Sequence, residues 1–193
     1  MATISRLTLG QYDRMIAAGV FAPRPDGRRQ RIELIEGELR DMSPIGPVHE
    51  DFVDQLAAWS MKQLANKKVR VRIQNSIGIP ALDTAPEPDL VWVPERSYAS
   101  GRPTPKDVLL IIEVADSSLD YDTGEKAEIY ATAGIADYWV VNIPDECVHI
   151  YRNPERGRYR PMTTVSPDSE VRPLAFPDIV LPVTLLFGDK HSC

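Results

Sequence analysis

No run of residues in this chain is long and apolar enough to cross a bilayer, which would take about 20 consecutive apolar residues. The opening stretch, MATISRLTLGQYDRMIAAGV, lacks the continuous apolar segment of a secretory signal. Cysteine is nearly absent: Cys147 and Cys193 have no neighbour at zinc-ligand spacing, so neither a disulfide framework nor a thiolate metal site is expected. Together these features predict a cytoplasmic protein in a reducing setting, with no membrane partner. No loop has the glycine-rich pattern that cradles nucleotide phosphates. Repeats and low-complexity segments are missing too. Net positive charge is also lacking. The formal charge is −6, which argues against a protein that coats nucleic acid, because neutralising phosphates takes lysine and arginine.

What is present suffices for one sizeable core. The chain has 193 residues, 43% of them hydrophobic, so a single domain over residues 1–193 is expected. Basic residues are clustered. No acid occurs between Gln55 and Leu82, while Lys62, Lys67, Lys68, Arg70 and Arg72 all fall there; Arg24, Arg28, Arg29 and Arg31 form a second group. Either cluster reads equally as a solvated surface or as a phosphate-facing one.

Hydrophobic spacing predicts a helix over 9–18, stopped by Gly19, and a hairpin turning at Glu36-Gly37. Pro44, Gly46 and Pro47 break the chain before a longer helix over 48–66, where His49, Phe52, Val53, Leu56, Ala57 and Leu64 share one face. Residues 69–79 alternate like a strand, with Val69, Val71 and Ile73 on one side and Arg70 and Arg72 on the other. A strand follows at PEPDLVWV, then DVLLIIEV, which is apolar on both faces and so central in a sheet. Asp122-Thr-Gly-Glu125 reads as a capping box opening a helix to Ala133, with Gly134 as its stop. ADYWVVN and ECVHIYR continue the strands, GRYRPMTTV adds one more, and LPVTLLFG is expected as an edge segment on the core. The fold class is mixed α/β, a sheet flanked by helices.

Within this pattern three residues carry chemistry. Glu113 closes a buried strand, where a carboxylate costs several kcal/mol unless it is paired or bound to a metal. A strand simply emerging into water there is the alternative. Asp89 stands at the mouth of a strand after Pro88; alone, it reads as a turn residue. Lys126 shares a helical stripe with Ile129, Tyr130 and Ala133, so it points at the sheet, either to meet a carboxylate or to snorkel outward. Two carboxylates on neighbouring strands can hold Mg²⁺ through oxygen ligands, and a nearby ammonium can stabilise charge developing on a phosphodiester.

EPDLVWV, LLIIEV and YDTGEKAEIYATAGIADYWVVN, preceded by RIELIEGELRDMSP and a histidine, resemble the Uma2-like family of restriction-endonuclease-like proteins. The resemblance covers about residues 30–152. Each motif is weak alone; their order and spacing are specific. It implies a restriction-endonuclease-like core of the PD-(D/E)XK type, with Asp89 as the motif aspartate and Glu113 as the motif acid. The motif lysine is expected two residues after the acid, where this chain has Ala115; the family's migrated lysine matches Lys126. By the same resemblance, His49 would orient a ligand, a water or the phosphate, and Glu33 would complete a metal site with Asp89 and Glu113. Their ordinary alternatives are a polar helix-start residue and a surface strand residue. Asp122 is read as a helix cap. One departure stands out: Asp116-Ser117-Ser118 replaces an expected Ser-Pro-Ser-like turn, which should loosen the loop and add negative charge.

The implied activity is Mg²⁺- or Mn²⁺-dependent hydrolysis of DNA, with RNA as a possible second substrate, by metal-activated water. Two competing readings are a non-catalytic nucleic-acid- or protein-binding module on the same fold and a hydrolase of smaller phosphoesters. A homodimer is expected, with Tyr98, Trp92 or LPVTLLFG as its surface.

Overall fold

In the computed structural model the described residues are 5–22 and 31–188. Arg24, Arg28, Arg29 and Cys193 lie outside them. Helix α1 (Leu9–Ala17) opens on a capping box between Thr8 and Gln11. Strands β1 (Ile32–Ile35) and β2 (Glu38–Asp41) form the expected hairpin. Its turn places Glu36 and Gly37 at φ 49° and 81°, the left-handed pair that a tight hairpin requires. Helix α2 (Pro47–Leu64) starts with proline in its first turn.

The main sheet is built from β3 (Val69–Ile73), β4 (Leu90–Pro94), β5 (Leu110–Ala115), β6 (Asp137–Asn142) and β7 (Cys147–Arg152). Two short strands, β8 (Pro154–Glu155) and β9 (Arg158–Tyr159), precede its last member, β10 (Met162–Val165). The order across its six strands is β10-β7-β6-β5-β4-β3. Only β5 and β6 run parallel, and a parallel pair needs a crossover. That crossover is α3 (Leu119–Thr123) followed by α4 (Glu125–Thr132).

Alternation sorts the core into two layers. Leu110, Ile112, Trp92 and Trp139 face α2 on one side, while Ile111, Val91, Val93 and Tyr138 face α4 on the other. Strand β5 is buried along its whole length, as its doubly apolar sequence predicts.

Several expectations are corrected. Strand β3 ends at Ile73 rather than 79, because Gln74 turns to φ 48°. Asp122 is not a cap: helix begins earlier, at Leu119, and bends at Gly124. A Cβ there would stand 2.6 Å from the Asp120 carbonyl, so glycine permits the bend. The C-terminal LPVTLLFG does not join the main sheet. Leu181–Pro182 (β12) pairs with Glu170–Val171 (β11), and Thr184–Phe187 (α5) packs Leu186 into the α2 side of the core. Trp92 offers no dimer surface. It is fully buried, stacks on Trp59 at 5.5 Å and donates from Nε1 to Ser60 Oγ at 3.1 Å. Tyr98 is half-buried. No helix among the described residues is long and apolar enough to cross a membrane.

Candidate active site

Antiparallel pairing of β4 and β5 sets the site. The register Leu90↔Ile112 continues by one step to place Asp89 opposite Glu113. The two residues then bond across the strands. Asp89 donates its backbone N–H to Glu113 Oε2 at 3.2 Å, and Val114 donates its N–H to Asp89 Oδ2 at 2.9 Å. Each carboxylate is thus held by the backbone of the other strand.

Helix α4 brings in the cation. Lys126 is buried and donates from Nζ to Glu113 Oε1 at 3.0 Å. Its ammonium is also 3.5 Å from Asp122 Oδ1 and 5.4 Å from the Tyr121 ring centre. Lys126 therefore points inward and does not snorkel. Tyr130, one turn further on, donates its hydroxyl to the same Glu113 Oε1 at 2.9 Å. The stripe Lys126, Ile129, Tyr130 is as its spacing predicts, but the polar use of Tyr130 was not anticipated; its i+4 offset from Lys126 was the available signal.

His49 is buried at the start of α2, with Nε2 3.1 Å from Asp89 Oδ2. Its Nδ1 is buried without a hydrogen-bond partner among the described residues. Gln74 donates from Nε2 to the other Asp89 oxygen at 3.3 Å, a contact the sequence did not suggest. Glu33 is buried on β1, and its Oε1 accepts the backbone N–H of Glu87 at 2.6 Å. Asp122 accepts a hydrogen bond from the Ser118 hydroxyl.

All five expected residues, Asp89, Glu113, Lys126, His49 and Glu33, line one cavity of about 410 Å³. The loop from Met42 to Gly46 lines it as well, and so do Asp116 and Ser117 of the turn that departs from the family pattern. Carboxylates of Glu33, Asp41, Glu87, Asp89, Glu113, Asp116 and Asp122 outnumber the cations of Arg31, Arg40 and Lys126 and the imidazole of His49. Arg31 faces Glu87 at 3.5 Å, and Arg40 donates to Glu125 at 2.6 Å, so both are already engaged.

Burial first, and this excess of acid over base second, set the protonation of the site. Burial pushes Glu113 up to about 8, against the pull of Lys126, and the neighbouring Asp122 and Asp89 push the same way. Burial also raises Asp122. For Lys126 burial acts against the ammonium, but Glu113, Glu33, Asp122 and Asp89 outweigh it and hold the lysine well above its usual range. Asp89 goes the other way: burial is outweighed by His49 and the Val114 N–H, so it stays below the ordinary aspartate value. His49 is raised, because the Asp89 carboxylate outweighs the cost of burial.

The family model described as "Uma2: Putative restriction endonuclease" matches residues 11–184. The chain belongs to the Uma2 family. A solved structure, described as a "putative nuclease belonging to DUF820" from Anabaena variabilis, superposes with a TM-score of 0.71 at 14% identity. The match covers 94% of this chain and 97% of that one, and at such identity it shows a shared fold. No curated protein matches. For this Uma2 member the match extends well beyond the motifs, from within α1 to the start of α5.

Proposed function

We propose that the chain is a metal-dependent endonuclease that hydrolyses phosphodiester bonds in DNA, with Asp89, Glu113 and Lys126 at its centre. The observation that carries this reading is the crossed pair: two carboxylates from adjacent strands, each anchored on the other's backbone, with a buried ammonium 3.0 Å from one of them. The restriction-endonuclease-like family and the shared fold support the same class of chemistry.

The residues fit a divalent cation. The donors are hard carboxylate oxygens, the cavity carries surplus negative charge, and one Asp89 oxygen has only the long 3.3 Å bond from Gln74. Asp89, Glu113 and Glu33 would hold Mg²⁺ or Mn²⁺. When bound, the cation supplies Lewis-acid activation of water and of the phosphodiester.

The chain's own residues do the rest. Lys126 holds Glu113 in place and opposes the upward push of burial on its carboxyl, and it presents positive charge where the phosphoryl oxygens gain negative charge. His49, whose hold on a proton is strengthened by Asp89, can donate to a phosphate oxygen or hold the attacking water. The water oxygen bonds to phosphorus as the P–O ester bond breaks, the water giving up a proton and the departing oxygen taking one from solvent, so no covalent enzyme intermediate forms.

One observation favours a second reading, a non-catalytic binding module on this fold. Among the described residues no three His, Cys, Asp or Glu side chains converge as a ready metal cage, and both Glu113 oxygens already accept protein hydrogen bonds. Incubating the protein with supercoiled plasmid and single-stranded DNA, plus Mg²⁺ or Mn²⁺, separates the two. Cleavage by wild type that is lost in Asp89→Ala and Lys126→Ala is the expected result. Cleavage that survives Asp89→Ala would sink the site assignment. No cleavage of any nucleic acid would move the chain to the binding module.

A further inference from the structure

Strand β3 lies at the edge of the sheet and carries a row of cations. Arg70 and Arg72 alternate along it, opposite Val93 and Val91 of β4, so they share a face at about 7 Å spacing. The ladder extends both ways. Lys68 accepts the Glu95 N–H on its carbonyl at 3.0 Å, which adds Lys68 to the row. At the other end Gln74 donates its N–H to the Asp89 carbonyl at 2.9 Å. The row therefore stands on the sheet face that bears Asp89 and Glu113, and it leads to them.

Its charge is poorly compensated. Glu95 faces Lys68 at the far end of the row, but Arg70 and Arg72 form no ion pair with any described carboxylate. Arg72 Nε is buried without a hydrogen-bond partner. Its charged neighbours are Arg70 and Arg102, which, after burial itself, push its pKa down. Tyr98 pre-orders the local guanidiniums: Arg72 lies 5.6 Å and Arg96 5.0 Å from its ring centre. In a chain of net charge −6, two adjacent arginines with no carboxylate partner among the described residues make a local positive patch that an anionic ligand would match.

We propose that Lys68, Arg70 and Arg72 form a track for the phosphodiester backbone of nucleic acid on one side of the candidate site. Guanidinium forks match phosphate oxygens in pairs, and a strand presents them at a regular interval. The track rests on the nuclease reading for its connection to catalysis, but not for its ability to bind.

The test is fluorescence anisotropy with a labelled single strand and its duplex, in EDTA, over a salt series. Wild type is compared with Arg70→Gln/Arg72→Gln and with Lys106→Gln as an exposed control, each checked by thermal melting. The double variant should bind about tenfold or more weakly, and its salt slope should fall by about two. The control should match wild type. A folded double variant with unchanged affinity and slope overturns the track. So does a wild type that binds no nucleic acid at low salt, or displacement by polyglutamate as effective as by unlabelled oligonucleotide. Plasmid cleavage is scored separately. Binding lost in the double variant without any wild-type cleavage removes the nuclease reading and keeps the track. Wild-type cleavage with undiminished binding in the double variant does the reverse.

Discussion

Glu113 and Lys126 stand thirteen residues apart in the chain, yet their charged atoms meet at 3.0 Å beneath a nearly closed surface. The strand that carries one and the helix that begins near the other belong to the crossover that a parallel β5–β6 pair requires. The parallel pairing is thus what brings the acid and the lysine together.

Breaking that pair should be costly. Lys126→Met leaves Glu113 and Asp122 buried without their ammonium, and should lower stability by about 3–5 kcal/mol at neutral pH. Lys126→Met combined with Glu113→Gln should recover much of the loss. Glu113 also sets a pH trend of its own. Its carboxyl is raised from 4.5 to about 8, so the fold keeps a proton that the unfolded chain releases. Its contribution therefore weakens as pH rises from about 4.5 to about 8. Denaturant melts of the variants at several pH values would check both points; a Lys126→Met loss below about 1 kcal/mol would contradict the first.

His49 should titrate above an ordinary histidine in the metal-free protein, held there by Asp89. A raised imidazole adds stability that is fully present below pH 6.5 and fades as pH climbs through its folded-state value. Asp89→Asn should bring that value down. Imidazole proton shifts followed by NMR in EDTA report it directly, and an unmoved titration in Asp89→Asn would show that the pairing does not operate.

Divalent metal should stabilise the fold. At about a hundred times its dissociation constant, Mg²⁺ or Mn²⁺ adds about 2.7 kcal/mol, seen as a rise in melting temperature. Glu113→Gln, which keeps the shape of the side chain, should abolish the rise. An equal rise in wild type and variant would place the metal elsewhere.

Asp137 should behave as a purely structural acid. It is buried at the start of β6 and accepts from Trp139 Nε1 at 2.9 Å, Arg152 Nε at 2.8 Å and the Leu174 backbone N–H at 2.7 Å. It thereby ties the C-terminal segment to the sheet. Asp137→Ala should cost about 2–4 kcal/mol and leave cleavage per folded molecule unchanged. Loss of turnover in protein shown to be folded would count against that division of roles.

The local grammar of the sequence was readable wherever it was redundant. The unbroken apolar run of VLLIIEV marks a doubly covered strand, Glu36-Gly37 marks the hairpin, and helical spacing turns Lys126 inward, because each signal is local to a few neighbouring residues. Single-residue roles were less legible. Asp122 resembles a cap by motif, but Gly124 lets the chain bend sharply, helix starts a turn earlier, and the carboxylate falls at i,i+4 from Lys126. Trp92 looked exposed only because its packing partner Trp59 lies thirty-three positions away in sequence.

By itself, then, the sequence determined the order of the main elements from α1 to β7, the central strand and the family, since these depend on periodicity and motif order along the chain. Tertiary structure alone decided the contacts of Tyr130 with Glu113 and of Gln74 with Asp89, and the atoms through which His49 and Glu33, which the family resemblance implied, enter the same cavity. Those contacts depend on strand register and on where a helix bends, and a shift of one residue in either would redirect every side chain involved.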